Sequence, residues 1–536
     1  MLGASYALAL LVRAAVASRT SALYPDGVVE LRVAEALLAG RWGQALDTRF
    51  HPLLGGLTAL VSGLSGLSTE AAATLVCGLL SAGVAPACAA VAARLTPEAP
   101  RRAAMVAGVL AACHPYLARL GGQVLAYGPA HLCLALALAL AARALAVEAA
   151  GAGSGAGSAP GAGRAAALAG LAAGAGYLAR SDALASGAGL GLGLGAALLL
   201  RGSGAARALR AAGAFGLAFG LAIAPYALAL SLHAGTPTLS PKKPLASFWP
   251  AAVGPAAPAP HPDGRAQPRE RTLEEWVADE ITRGPRAAAA EAEVQAQDGL
   301  LAAARFALGK ALAATHPLLA LLLLSAALPA RGGRARSGPS RATREDLAPL
   351  LPALGALGAF VAAHVLLKAT HGYTSRLHMS AAGVLVAPLA ARGLLRLGRR
   401  RWIQAALLGL AVTLTLPRAI EPQHEAKAVE AEVGRWLRDH APRRPLVVCG
   451  RGEVRGVAYR AGARFVDLPA DTSPRRALEH ARARGARYLV LYLRSRGPER
   501  GALLAHLATL GARPLGPPWR SERAGVRYAW WVLALD

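Results

Sequence analysis

"HPLLGGLTALVSGLSGL", residues 51–67, is apolar and carries no charge after its first histidine. Whether it crosses a membrane decides the side on which every later segment emerges. The chain around it has 536 residues, of which 54% are hydrophobic and only 17% charged. Runs such as 132–142 and 183–200 hold no Asp, Glu, Lys, Arg or His. A soluble core has no need of so many uncharged runs, so they predict a polytopic α-helical membrane protein. Eleven spans are expected, near 4–22, 70–94, 103–118, 128–147, 164–180, 182–200, 210–232, 299–329, 347–368, 378–392 and 402–417.

The arginines test that count. Arg94, Arg101 and Arg102 follow the second span; Arg201, Arg207 and Arg210 follow the sixth. Arg331, Arg334, Arg336, Arg341 and Arg344 follow the eighth, and Arg392, Arg396, Arg399, Arg400 and Arg401 follow the tenth. All four clusters share the cytoplasmic side when the N-terminus is cytoplasmic and 51–67 is not a span. The segment is therefore expected as a short helix on the outer face, inside one outer loop, 23–69. A second outer loop, 233–298, opens Pro-rich and continues with an amphipathic stretch in which Leu273, Trp276, Val277 and Ile281 recur at helical spacing. The Gly/Ala/Ser stretch 148–163 reads as a flexible connector.

The net charge of +27 is absorbed by these inside clusters, which excludes a nucleic-acid surface as its reason. Five cysteines without CxxC spacing argue against a metal site or disulfide framework, and four lie in apolar runs as small packing residues. Arg13 interrupts the first apolar run and no small-residue cleavage site stands out, so an uncleaved first helix is expected. Abundant alanine and glycine suit close helix packing in lipid; as a mark of GC-rich coding, with no glycosylation-type features, they point to a bacterial inner membrane.

The pattern changes after residue 417. "RPLVVCG", "RFVDLP", "RYLVLYL" and "RYAWWVLALD" read as strands, with "SPRRALEHARARG" and "ERGALLAHLATLG" as helices between them. The alternation predicts a small α/β domain over 418–536, extracytoplasmic, behind a membrane domain over 1–417.

Ionisable residues in the first outer loop are the candidates for chemistry. Asp26 stands at the edge of an amphipathic helix (Val28, Val29, Leu31, Val33, Ala34, Leu37, Leu38), as an N-cap would. "AGRWGQAL" ends that helix with glycine, and "HPLL" returns the chain to the membrane 25 positions after Asp26. Arg13, inside the first span, is expected to snorkel or to pair with an acid near Asp26. Arg180 and Asp182 flank a short turn and read as a structural pair.

This order of outer-loop Asp, helix, "AGRW" and "HPLL" resembles the first outer loop of the GT-C membrane glycosyltransferases, among them the protein O-mannosyltransferases and the lipid A aminoarabinose transferases. "HPYLARLGGQV" (114–124), "GYLARSDAL" (176–184) and "HGYTSRLHM" (371–379) are similar to further segments of that family, and the resemblance covers residues 1–420. It implies transfer of a sugar from a polyprenyl-phosphate donor to an acceptor (protein, lipid or polysaccharide) on the extracytoplasmic face. By the resemblance Asp26 is the base, and Glu30 one turn on stands in for the family's second carboxylate, where this chain has Gly27. Lys242, Lys243, His371, Arg376 and His378 are the candidates for the donor phosphate, because a phosphate leaving group needs cations. His51, Gln123 and Tyr127 are candidates for substrate contact. The segment "GGQVLAYG" (121–128) offers no acid where the family's second outer loop often carries one, so a divalent cation has no clear ligand set. Two other readings fit part of the pattern: a transporter or flippase of a lipid-linked glycan, and a non-catalytic membrane protein whose tail binds a partner. Neither accounts for both the absence of internal repeats and the gathering of ionisable groups at one face.

Overall fold

The computed structural model describes residues 1–20, 22–47, 50–151, 160–240, 300–326, 347–371, 377–397, 401–422, 428–441, 446–450, 454–468, 474–494, 499–523 and 526–535. The amphipathic stretch near 273–281 lies outside them. The chain divides into two compact units: a helical one made of Met1–Arg19, Val29–Trp249 and Gln297–Glu421, and a second containing Thr20–Val28, Pro250–Ala296 and Pro422–Asp536.

The helices begin with α1 (Leu2–Ser18), α2 (Pro25–Leu38), α3 (Trp42–Asp47) and α4 (Pro52–Ser65). The nearly continuous α5 (Thr69–Ala82) and α6 (Val84–Leu95) follow, then α7 (Pro100–Cys113), α8 (Pro115–Gly121) and α9 (Tyr127–Gly151). Next come α10 (Pro160–Ala179), α11 (Ala183–Leu200), α12 (Ala205–Ala234), α13 (Leu300–Thr315) and α14 (Pro317–Ala326). The helical unit closes with α15 (Leu351–His371), α16 (Ala381–Leu397) and α17 (Arg401–Ala419). Among the described residues seven helices are long and apolar enough to cross a membrane, and two bent pairs raise the number to nine. The 17-residue α1 and the alanine-rich α10 occupy the remaining expected positions. Residues 51–67 contribute α4, whose 14 residues rise only about 21 Å, short of the ~30 Å hydrocarbon core.

Two spans read from the sequence as straight are broken. α7 and α8 meet at 59° across His114, and α13 and α14 at 98° across His316. Proline follows in both cases: its missing N–H and its clash with the preceding turn end one helix, and its fixed φ starts the next. His51–Pro52 opens α4 in the same way, with Pro at the first helical position.

α2 also starts slightly earlier than read, at Pro25, so Asp26 lies in its first turn rather than capping it. A carboxylate there still complements the helix dipole. The helix ends as the glycine signal predicted. Gly40 has φ 68°, its N–H bonds Leu37 O, and Arg41 N–H bonds Ala36 O, the two hydrogen bonds of a Schellman close.

Small residues set how closely the helices approach. A β-carbon on Gly189 would lie 2.3 Å from the Gly355 carbonyl oxygen, and one on Gly193 2.4 Å from that of Leu351. α11 and α15 are therefore in backbone contact, a route to cohesion where lipid removes the hydrophobic drive between helices. At one end of the bundle arginines close helix termini. Arg392 Nη1 donates to the carbonyl of Leu95, the last residue of α6, at 3.0 Å. Arg396 Nη1 does the same for Ala326, the last residue of α14, at 3.1 Å. Arg201 bonds Leu145 O at 2.8 Å, and Arg207 pairs with Glu148 at 3.3 Å. Cations at helix C-termini meet both the orphan carbonyls and the dipole.

The second unit carries α18 (Ala428–His440), β1 (Val447–Gly450), α19 (Arg455–Arg460), β2 (Arg464–Asp467), α20 (Pro474–Ala483), β3 (Tyr488–Arg494), α21 (Glu499–Thr509), β4 (Ala512–Pro514), β5 (Trp519–Arg523) and β6 (Val526–Leu535). The strand order is β2-β1-β3-β6-β4, with β5 also on β6; β1 is parallel to β2 and β3, and the pairs made by β6 are antiparallel. All four strands and both helices read from the sequence are present. Period-two alternation splits β3 between two cores. Leu489 and Leu491 pack with Leu478 and Leu507 of α20 and α21, while Tyr488 and Val490 pack with Val433, Leu437 and Val457 of α18 and α19.

Candidate active site

Polar groups gather where α10 turns into α11 and α9 begins. Arg180 and Asp182 span a two-residue turn. The guanidinium donates from Nε to Oδ1 at 3.1 Å and from Nη2 to Oδ2 at 3.0 Å. Its Cζ also lies 3.7 Å over the Tyr127 ring, so one cation is held by a fork–fork pair and by an aromatic face. Burial alone would raise the Asp182 carboxyl, but the adjoining Arg180 charge and hydrogen bonds bring it down to about 2. The expected structural pair is therefore formed, and it also walls a cavity.

One turn along α9 from Tyr127, His131 places Nε2 3.1 Å from Ser380 Oγ at the head of α16. His364 on α15 donates from Nδ1 to Phe360 O at 2.9 Å, because a carbonyl can only accept. Its ring lies 6.3 Å from that of His378. Tyr127, His131, Arg180, Asp182, Phe360, His378 and Ser380 share a cavity of about 20 Å³, room for a water molecule.

The last turn of α10 carries a second wall. Tyr177, one turn before Arg180, sets its ring edge-on to His51, with centroids 5.0 Å apart. Tyr226 of α12 stands 5.4 Å from His51 and 6.3 Å from Tyr177. The two phenols donate to main-chain carbonyls: Tyr226 to Phe50 at 3.4 Å and Tyr177 to Leu239. Glu30 of α2 is buried.

Arg13 and His114 fix the floor. Arg13 is buried in α1 and donates to Ala112 O at 2.7 Å and to Ser81 Oγ at 3.3 Å. The expected acid partner is not what holds it. The proline break leaves the last carbonyls of α7 without helical partners, and Arg13 supplies one. His114 Nδ1 accepts the Leu117 N–H at 3.4 Å and so caps α8. Its ring presses on Gly383, where a β-carbon would lie 2.8 Å from it.

Asp26 is half-buried in the first turn of α2, and Glu30, one turn on, is buried. His51 belongs to the aromatic wall, and Tyr127 and His378 to the Arg180 cavity. Gln123 is buried in the connection between α8 and α9. Lys242, Lys243, Arg376 and the His371 side chain lie outside the described residues. His131, Tyr177, Tyr226, His364 and Ser380 were not singled out from the sequence. His131 and His364 carried a usable signal: each is an ionisable residue inside an apolar span. Among the described residues no group of three His, Cys, Asp or Glu side chains is placed to hold a metal ion.

No family model and no curated protein matches the chain. Among solved structures it is similar to the apo oligosaccharyltransferase of Archaeoglobus fulgidus, at 12% identity over 91% of this chain and 69% of that one, with a TM-score of 0.49. AglB from the same organism, in complex with an inhibitory peptide and a dolichol-phosphate, matches at 11% identity over 98% and 74%, with a TM-score of 0.48. ArnT from Cupriavidus metallidurans bound to undecaprenyl phosphate matches at 14% identity over 99% and 97%, with a TM-score of 0.45. At these identities the likeness concerns the fold, and the chemistry is argued from the residues.

Proposed function

We propose that this integral membrane protein is a glycosyltransferase that moves a sugar from a polyprenyl-phosphate donor to an acceptor on the extracytoplasmic face. The observation that carries the reading is the gathering of ionisable and aromatic side chains, from the buried His51 and His131 to the half-buried Arg180 and His378, at the α10–α11 end of an otherwise apolar bundle. The arginine pattern makes that end extracytoplasmic.

In this reading the acceptor's hydroxyl or amine attacks the anomeric carbon as the Asp26 carboxylate takes its proton. The new bond forms to the sugar as the bond from the anomeric carbon to the phosphate oxygen breaks. The polyprenyl phosphate leaves with the electron pair. Glu30 raises the local negative charge and helps orient the acceptor. Arg376, His371, His378, Lys242 and Lys243 are the cations proposed to receive the leaving phosphate, where charge develops in the transition state. His51, Gln123 and Tyr127 are proposed to contact the substrate, with His51 held by the two tyrosines.

Incubating the purified full chain with a panel of polyprenyl-phosphate sugars and following donor consumption tests the reading. Asp26→Asn should lower transfer about 10²–10⁴-fold, the usual worth of a general base, while leaving folding and insertion intact. Near-full activity in that variant would remove Asp26 from the mechanism, and no consumption of any donor would remove the activity itself.

A further inference from the structure

Behind the proposed site lies a larger cavity that nothing so far has used. It has a volume of about 560 Å³ and is lined by Pro115, Tyr116 and Arg119 of α8, Ala313, Ala314 and His316 at the α13–α14 break, and Pro417, Arg418 and Glu421 at the end of α17. That is the size of a small-molecule pocket. Tyr116 packs on Phe360 and Met379, and Phe360 faces the small cavity beside Arg180. One apolar septum therefore separates the two spaces.

The lining joins two chemistries. The prolines, alanines and the tyrosine ring are apolar, and the cavity opens at the ends of apolar helices. The charged groups are mostly cationic. Arg119 pairs with Glu421, Arg418 is exposed, and the neighbouring Arg19 donates to the Ile420 carbonyl at 3.1 Å. His316, also on the lining, sits on a strained backbone, with φ 69° in the left-handed region that L side chains rarely enter. A pocket that joins apolar residues to an excess of guanidinium, set at the end of a membrane span, suits a phosphate whose remainder lies in lipid.

We propose that this cavity is a phosphate-binding site, separate from the donor-phosphate cations named above, with Arg119 and Arg418 as its forks and Glu421 as the counter-ion that the phosphate displaces from Arg119. It takes a phosphate monoester or diester, either as a lipid headgroup or as free phosphate. It rests on the proposed function only in that a polyprenyl phosphate is one such ligand.

The purified full chain, in nanodiscs of neutral phosphatidylcholine, is titrated with undecaprenyl phosphate, with phosphatidylglycerol and with inorganic phosphate. Binding to Arg119→Gln/Arg418→Gln should be at least tenfold weaker, on the order of two lost charge-assisted contacts. Glu421→Gln should bind two- to fivefold tighter, since it frees Arg119; a purely structural Arg119–Glu421 pair would instead make both variants fail alike. Selection of the two lipids assigns a headgroup site, and displacement of them by inorganic phosphate at similar concentration assigns a free-anion site. Thermal melts confirm that each variant is folded. Equal binding in wild type and the double variant, or weaker binding in Glu421→Gln, overturns the proposal. Phosphatidylglycerol and inorganic phosphate are not sugar donors, so their binding tests this site whether or not the chain transfers a sugar, and the failure of this site and the failure of the transfer reading are separable.

Discussion

The two ends of the helical bundle use arginine differently. At one end Arg392, Arg396 and Arg201 each reach a main-chain carbonyl, two of them at the last residue of a helix. Their charge is consumed by the ends of the secondary structure. At the other end stands Arg180. It is shared between the Asp182 carboxylate and the Tyr127 ring, beside histidines and a cavity. The number of cations is thus a poor guide to a site, and what each cation is bonded to is a better one. Arg13 shows the distinction within the second end, because its main partner is the Ala112 carbonyl and its role is that of the first group.

The sharpest way to break the comparison is to exchange the outcomes. Arg180→Gln should lower sugar transfer about 10²–10³-fold, the range expected for a lost electrostatic partner in a preorganised site, in a protein that still elutes as a folded species. Arg392→Gln should do the reverse. Its transfer rate per folded molecule should match wild type, while its melting temperature falls by an amount equivalent to about 1–3 kcal/mol, the cost of orphaning a buried carbonyl. If both variants lose activity and stability together, the division between the ends is wrong.

Acid sharpens it further. The Asp182 carboxyl is lowered in the folded chain from 3.8 to about 2, so the pair's contribution is present above pH 4 and is lost as the pH falls towards 2. The contribution is on the order of 2 kcal/mol. Melts of Asp182→Asn and wild type should therefore differ near neutrality and converge between pH 4 and 2. The smallest effect belongs to the other unit. Burial pushes the Cys449 thiol up to about 12, so at pH 8 it should resist iodoacetamide until denaturant opens the sheet. Rapid alkylation of Cys449 in the native protein would contradict the packed core around β1.

The strands were legible because each is a short apolar run between basic or glycine-rich turns, most plainly in β1, which is parallel to both neighbours and buried along its length. Residues 51–67 were legible only through the arginines far from them, since their own hydropathy argues for a span. The breaks at His114 and His316 passed unnoticed although Pro115 and Pro317 announced them, because apolar composition on both sides hides a change of direction. The site was half visible. Tyr127 and His378 belong to one cavity and His51 to the aromatic wall, but Tyr177 and Tyr226 carry no sequence signal that separates them from ordinary aromatic packing. Their meeting depends on α10 and α12 lying side by side, which pairwise spacing along the chain does not encode.

The backbone at His316 makes that position an unusual experimental handle. At φ 69° alanine would keep the conformational penalty that histidine bears, whereas glycine occupies this region freely. His316→Gly should therefore remove the imidazole and relieve the chain at once. Any loss it causes can be charged to the missing ring alone, and the difference from His316→Ala measures the tension stored in the helix break.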